Sequence, residues 1–329
     1  MTRIRTVALL VCATAALGCA GAAGAALDVG VTEDAGKTGN GAAFFATLKD
    51  VGLNVNRISV NWNPATPTSI PGQAEIAKWL PQAQVSGTRI IFAVAPLNAR
   101  DLTATPDAKT KFASFVQKLA QTFPAVRDYV IGNEPNQPRF WTPQYSPVGK
   151  PLAAAQYLPV LAASYDALKT VDPTINVIGV GLSPRGNDQP LAKDNRSRSP
   201  VRFLYDLGQA YRLSGRTKPL MDELAFHPYP QPQQGAPSVG YAWPTAGIAN
   251  LSRIKQAFWD AFHGTAQPTI TESGRSFARP VRLDLDEVGW QVTIPPALAS
   301  LYFGKETPSM RLIDEGTQAN YYADVIDIS

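Results

Sequence analysis

The sequence predicts an α/β protein of the (β/α)8 TIM-barrel type that apparently lacks its eighth strand. Three observations predict it. Short, nearly continuous apolar stretches alternate seven times with longer amphipathic ones, at a period of about 35–45 residues, as parallel strands joined by crossover helices do. The first strand-to-helix turn, "VGVTEDAGKTGNGA", has neither G-x-G-x-x-G nor a P-loop, which argues against an open nucleotide-binding sheet. The chain of 329 residues also exceeds the roughly 250 that such a barrel needs.

In chain order, "LDVGV" (27–31) reads as the first strand, followed by a helical pattern over 42–52. "VNRISVNW" (55–62) is strand-like, with a helix over 74–87. "TRIIFAVAPLN" (88–98) precedes a helix over 109–123. "RDYVIGNEPN" (127–136) precedes one over 153–171, and "INVIGVGL" (175–182) one over 201–215. "MDELAFHPYP" (221–230) is followed by a helix over 250–264. "QPTITESG" (267–274) reads as the seventh strand. A long irregular stretch (275–309), read as a wall of the cleft, leads to a last helical pattern over 317–329. No eighth strand follows, so the pattern reads as a truncated barrel whose first and seventh strands expose their edges.

Residues 1–25 have the layout of a secretory signal peptide: Arg3 and Arg5, an apolar run, then small residues up to a cleavage site near Ala25 or Ala26. The run is short for a transmembrane span. The expected product is a secreted or cell-surface chain over 26–329, with lipoprotein anchoring at Cys19 as the alternative. Cys12 and Cys19, the two cysteines, fall in the leader, so the exported domain stands on its core without disulfides. A net charge of +4, evenly spread, excludes a nucleic-acid partner. Two histidines and no retained cysteine give no metal cluster, and no cofactor is expected.

In a β/α barrel the chemistry sits at the carboxyl ends of the strands. Arg57, Asn133, Glu134, His227, Tyr229 and Glu272 lie in or at the ends of predicted strands. A lone glutamate before proline is usually a turn residue. Glu134 gains meaning from Glu272, which would face it across the barrel mouth. Two carboxylates flanking one bond are what glycoside hydrolysis requires.

This constellation resembles the retaining β-glycosidases of glycoside hydrolase clan A, with their cellulase-like and xylosidase-like (β/α)8 families. The residues that carry it are Arg57 in "NRISVNW", Asn133-Glu134-Pro135 in "GNEPN", His227 and Tyr229 in "HPYP", and Glu272 in "TITESG". The resemblance implies Glu134 as acid/base and Glu272 as nucleophile, their carboxyl groups about 5–5.5 Å apart. It implies Asn133 on the sugar 2-hydroxyl, Arg57 and Tyr229 holding Glu272 ionised, and His227 orienting the site. The implied partner is an oligo- or polysaccharide, whose apolar ring face stacks on aromatic side chains; Trp62, Trp141 and Trp243 are the candidates. Phe140, Tyr241 and Trp290 also fall in or near the predicted loops. The sequence leaves a non-catalytic carbohydrate-binding relative open, and is silent on sugar identity, endo or exo action and oligomeric state. A lyase or esterase on the same barrel finds no G-x-S-x-G elbow to support it.

Overall fold

The computed structural model describes residues 27–270, 280–301 and 312–328. Seven strands form one sheet in sequence order, every neighbouring pair parallel. They are β1 (Gly30–Thr32), β2 (Val55–Trp62), β3 (Arg89–Pro96), β4 (Asp128–Ile131), β5 (Asn176–Leu182), β6 (Glu223–Phe226) and β7 (Arg282–Asp284). The intervening helices are α1 (Ala42–Asp50), α2 (Gln73–Ser86), α3 (Ala108–Thr122), α4 (Ala153–Val171), α5 (Pro200–Ser214) and α6 (Leu251–Phe262), with α7 (Glu315–Ile328) following β7. This is the β/α barrel the repeating pattern predicts, with no eighth strand among the described residues.

The period of two along each strand sorts the side chains. On β2, Ile58, Val60 and Trp62 join the large core between sheet and helices, while Val55 belongs to a smaller cluster with Ile91, Ala93, Val130, Ile178 and Ala225. These six residues, drawn from β2 to β6, form the packed layer inside the barrel. Arg57 has the parity of Val55, so it points inward too.

The seventh strand is not where the sequence pattern put it. Gln267–Ile270, the described part of the expected 267–274 strand, is not a strand of the sheet, though its Thr269 carbonyl accepts from the Val281 N–H at 3.4 Å, just ahead of β7. The Gln267 side chain accepts hydrogen bonds from the backbone N–H groups of Leu220 and Met221 at 2.6 and 3.1 Å and donates to the Met221 carbonyl. The segment is a strap across the entry to β6, and that packing buries Gln267 and Thr269. The seventh place in the sheet goes to β7, whose Arg282, Leu283 and Asp284 pair with Glu223, Leu224 and Ala225. Residues taken for an irregular wall are therefore part of the barrel.

β1 and β7 are the sheet's edges. The Thr32 hydroxyl, at the end of β1, donates to the Asp286 carbonyl at 2.7 Å, a direct bond between the two ends of the sheet. Beyond β7, Trp290 donates from Nε1 to the Gly235 carbonyl and packs against Tyr321 and Tyr322 of α7. No helix among the described residues is long and apolar enough to cross a membrane.

Candidate active site

Side chains from four strands, or from just beyond them, converge on one group of charges. From β2, Arg57 reaches up with only 6% of its side chain exposed. Its Nε lies 3.0 Å from Asp286 Oδ2, its Nη1 2.8 Å from Glu287 Oε1, and its Nη2 donates to Asn133 Oδ1 at 3.4 Å. Burial works against the guanidinium charge, but the carboxylates of Asp286 and Glu287 outweigh it and hold the proton more firmly than usual.

At the end of β4 the chain leaves the extended form. Gly132 takes φ +85°, its N–H still bonded to the Val94 carbonyl, and Glu134 takes φ +37°, a left-handed value that side chains other than glycine rarely adopt. A register shift at the end of β5 receives this turn: the Gly181 carbonyl accepts from the Glu134 N–H at 2.9 Å. Gly181 is itself left-handed, and a Cβ there would lie 3.1 Å from His227 Nε2. Only glycine meets both demands.

After β6, the His227 N–H continues the ladder to the Leu182 carbonyl, and a tight turn bonds the Tyr229 N–H to the His227 carbonyl at 2.9 Å. His227, fully buried, pairs through Nδ1 with Glu134 Oε1 at 3.1 Å and lies 3.6 Å from Glu287 Oε2. Its Nε2 sits 3.1 Å from Asp286 Oδ1. The Tyr229 hydroxyl donates to Glu287 Oε2 at 3.1 Å. Burial, then the charge of Glu287, push the phenol well above its ordinary range, so it remains a donor.

The structure thus brings together Arg57, Asn133, Glu134, His227 and Tyr229 of the residues expected from the sequence. Glu272 lies outside the described residues. The carboxylate that Arg57 and Tyr229 hold is Glu287, two residues beyond Leu285. The signal for it was "VRLDLDEVGW", in which Val281, Leu283 and Leu285 alternate strictly with polar residues, the mark of a strand with one face buried. Those three apolar residues do face the helix-side core, and the alternation turns Asp286 inward.

Two of the proposed stacking residues are placed elsewhere. Trp62 is fully buried edge-on to Phe112, with its Nε1–H on the Pro67 carbonyl. Trp141 is edge-on to Tyr157, with Nε1 donating to Gln156 at 3.4 Å. Both spend their faces on the core, leaving none for a sugar. Trp243 is 61% exposed, with the Arg202 guanidinium 5.2 Å from its ring centroid.

The site is thus a parallel β/α barrel with two glutamates just beyond strand ends, both against one imidazole. Comparison with solved structures agrees at the level of the fold. A family 39 glycoside hydrolase from the gut symbiont Bacteroides cellulosilyticus WH2 superposes with a TM-score of 0.55 at 17% identity, over 92% of this chain and 53% of that one. A monomeric beta-xylosidase from Caulobacter crescentus CB15 is similar at a TM-score of 0.48 and 15% identity, over 81% of this chain and 53% of that one. The chain spans about half the length of these structures. No protein-family model and no curated protein matches it.

Proposed function

We propose that this chain is a secreted glycoside hydrolase that cleaves β-glycosidic bonds with retention, with Glu134 as acid/base and Glu287 as nucleophile. The observation that carries the reading is the shared environment of the two carboxylates. Both lie within 3.6 Å of the same His227 nitrogen, while Arg57 and Tyr229 hold Glu287 alone. Two oxygens at those distances from one nitrogen lie within a range that includes the retaining separation of about 5–5.5 Å. Arg57 and Tyr229 are the residues that the resemblance assigns to the nucleophile. Their meeting at Glu287 is the reason to place that role there and not at Glu272.

In the first step a Glu287 oxygen attacks the anomeric carbon as the glycosidic C–O bond breaks, and Glu134 gives its proton to the departing oxygen. In the second, Glu134 takes a proton from water, whose oxygen displaces Glu287 from the sugar. Asn133, which accepts from Arg57 Nη2, is the residue the resemblance assigns to the sugar 2-hydroxyl, and Trp243 is the exposed aromatic among the three stacking candidates. Residues 1–25 direct export.

The test is to trap the covalent intermediate with activated 2-deoxy-2-fluoro β-glycosides and map the labelled peptide. A label on Glu287 is expected. A label on Glu272 moves the nucleophile to the other candidate, and a folded chain that takes no label from a panel of sugars overturns the retaining reading.

A further inference from the structure

Asp286 precedes the proposed nucleophile and is 1% exposed in its side chain. It has no role in the two-carboxylate scheme, yet it touches both cations of the site. Its Oδ2 is 3.0 Å from Arg57 Nε, its Oδ1 is 3.1 Å from His227 Nε2, and its backbone carbonyl is held by the Thr32 hydroxyl from β1.

His227 therefore has a carboxylate on each ring nitrogen, Asp286 at Nε2 and Glu134 at Nδ1, both at 3.1 Å. A neutral imidazole carries one N–H and satisfies one of them. With its one proton drawn to Nε2 by the Asp286 charge 3.1 Å away, Nδ1 would be a bare acceptor, and a protonated Glu134 would turn its proton inward from Oε1 toward the ring. With both nitrogens protonated, Nδ1–H donates to Glu134 Oε1, and the carboxyl proton is left on Oε2 for a leaving group. The charge on the ring thus decides which way the acid points.

We propose that Asp286 is the positioning residue of this site: it keeps His227 doubly protonated, so that Glu134 presents its proton to the substrate and not to the ring. The inference rests on the glycosidase reading for its catalytic half. The groups facing His227 are Asp286 and Glu287 after β7, Glu134 after β4 and Tyr229 after β6, with Arg57 of β2 behind Asp286. Asp284, further down β7, faces Asp286. Burial alone would drive the imidazole toward neutrality; Asp286 first, then Glu134 and Glu287, outweigh it and raise its pKa to about 10.

The experiment uses the full chain with His263→Gln, which leaves His227 as the single histidine, and compares it with the same chain carrying Asp286→Asn. Ring nitrogen shifts of 15N-labelled histidine report protonation directly. The expected result is an imidazolium at pH 8 in the parent, and loss of that proton at a pH lower by about one unit or more in Asp286→Asn. Turnover is read on two β-glycosides of the same sugar, one with a dinitrophenyl leaving group that needs no acid and one with an unactivated phenyl group. Asp286→Asn is expected to lose at least about tenfold more kcat/KM on the phenyl substrate. A merely structural role would lower both equally. A neutral His227 at pH 8 in the parent overturns the proposal even if Asp286→Asn does not fold, and so does an equal loss on both substrates. An imidazolium in the parent that is lost at lower pH in Asp286→Asn, with neither glycoside turned over, supports Asp286 as the holder of the ring charge and counts against the glycosidase reading alone.

Discussion

Removing the Arg57 side chain tests how the site is held together, whatever its substrate. Arg57→Ala leaves Asp286 and Glu287 buried with one fewer cation between them, and Asp286 with His227 alone. Breaking a buried ion pair from one side costs about 3–5 kcal/mol. Unfolding entropy near 2.1 cal/mol/K per residue gives about 0.6 kcal/mol/K for a domain of roughly 300 residues, so the melting temperature should fall by about 5–8 °C at pH 7. The sign of the pH dependence follows from Asp286. Burial alone would raise its pKa, but His227 and Arg57 outweigh that and lower it, so its contribution is present above the unfolded value near 4 and lost as pH falls through the folded one. The gap between wild type and variant should be full at pH 6–7 and shrink below pH 4. Differential scanning calorimetry across that range measures it. A loss under about 2 °C at pH 7, or an equal loss at every pH, would refute the claim that Arg57 is the central counter-ion.

Tyr229→Phe deletes the hydroxyl that donates to Glu287 at 3.1 Å. A hydrogen bond to a charged group is worth about 1.5–3 kcal/mol, so kcat/KM on aryl β-glycosides should drop roughly 10–150-fold, and a drop under about threefold would detach Tyr229 from the nucleophile. Gly208→Ala on α5 would set a methyl 2.4 Å from the Ala261 carbonyl of α6. Because the obstacle is backbone, the helices must part, and urea unfolding should show a loss of about 1–3 kcal/mol; an unchanged midpoint would mean that the two helices are not packed as described.

The barrel was legible because its helices and most of its strands carry their periods in plain view, and six of the seven strands lie where apolar runs meet polar ends. The site was legible to the extent that strand parity was read. Arg57 and Trp62 stand five positions apart on one strand, so the period of two already puts them on opposite faces. That rule removes Trp62 from the sugar side without a structure. The seventh strand was misplaced because "TITESG" has the β-branched richness of a strand, whereas "VRLDLD" looks too charged for one. Its Asp286 turns to the barrel interior, where Arg57 and His227 balance it, and no local propensity encodes that balance. Trp141 was beyond reach for another reason, since only the packing of the Glu134 loop onto α4 decides which aromatic it buries.

Glu134 holds a backbone conformation that costs a side chain such as glutamate about 1–3 kcal/mol and costs glycine almost nothing. Replacing it with glycine, or with asparagine, which tolerates the left-handed region, would relax the fold at that point. The Glu134 carboxylate in turn holds His227 Nδ1 at 3.1 Å, so the strain at Glu134 is offset by the buried pair it makes across to the end of β6. Strain and pair are one device: the turn that glycine would relax is the turn that carries a carboxylate from β4 across to the imidazole beyond β6.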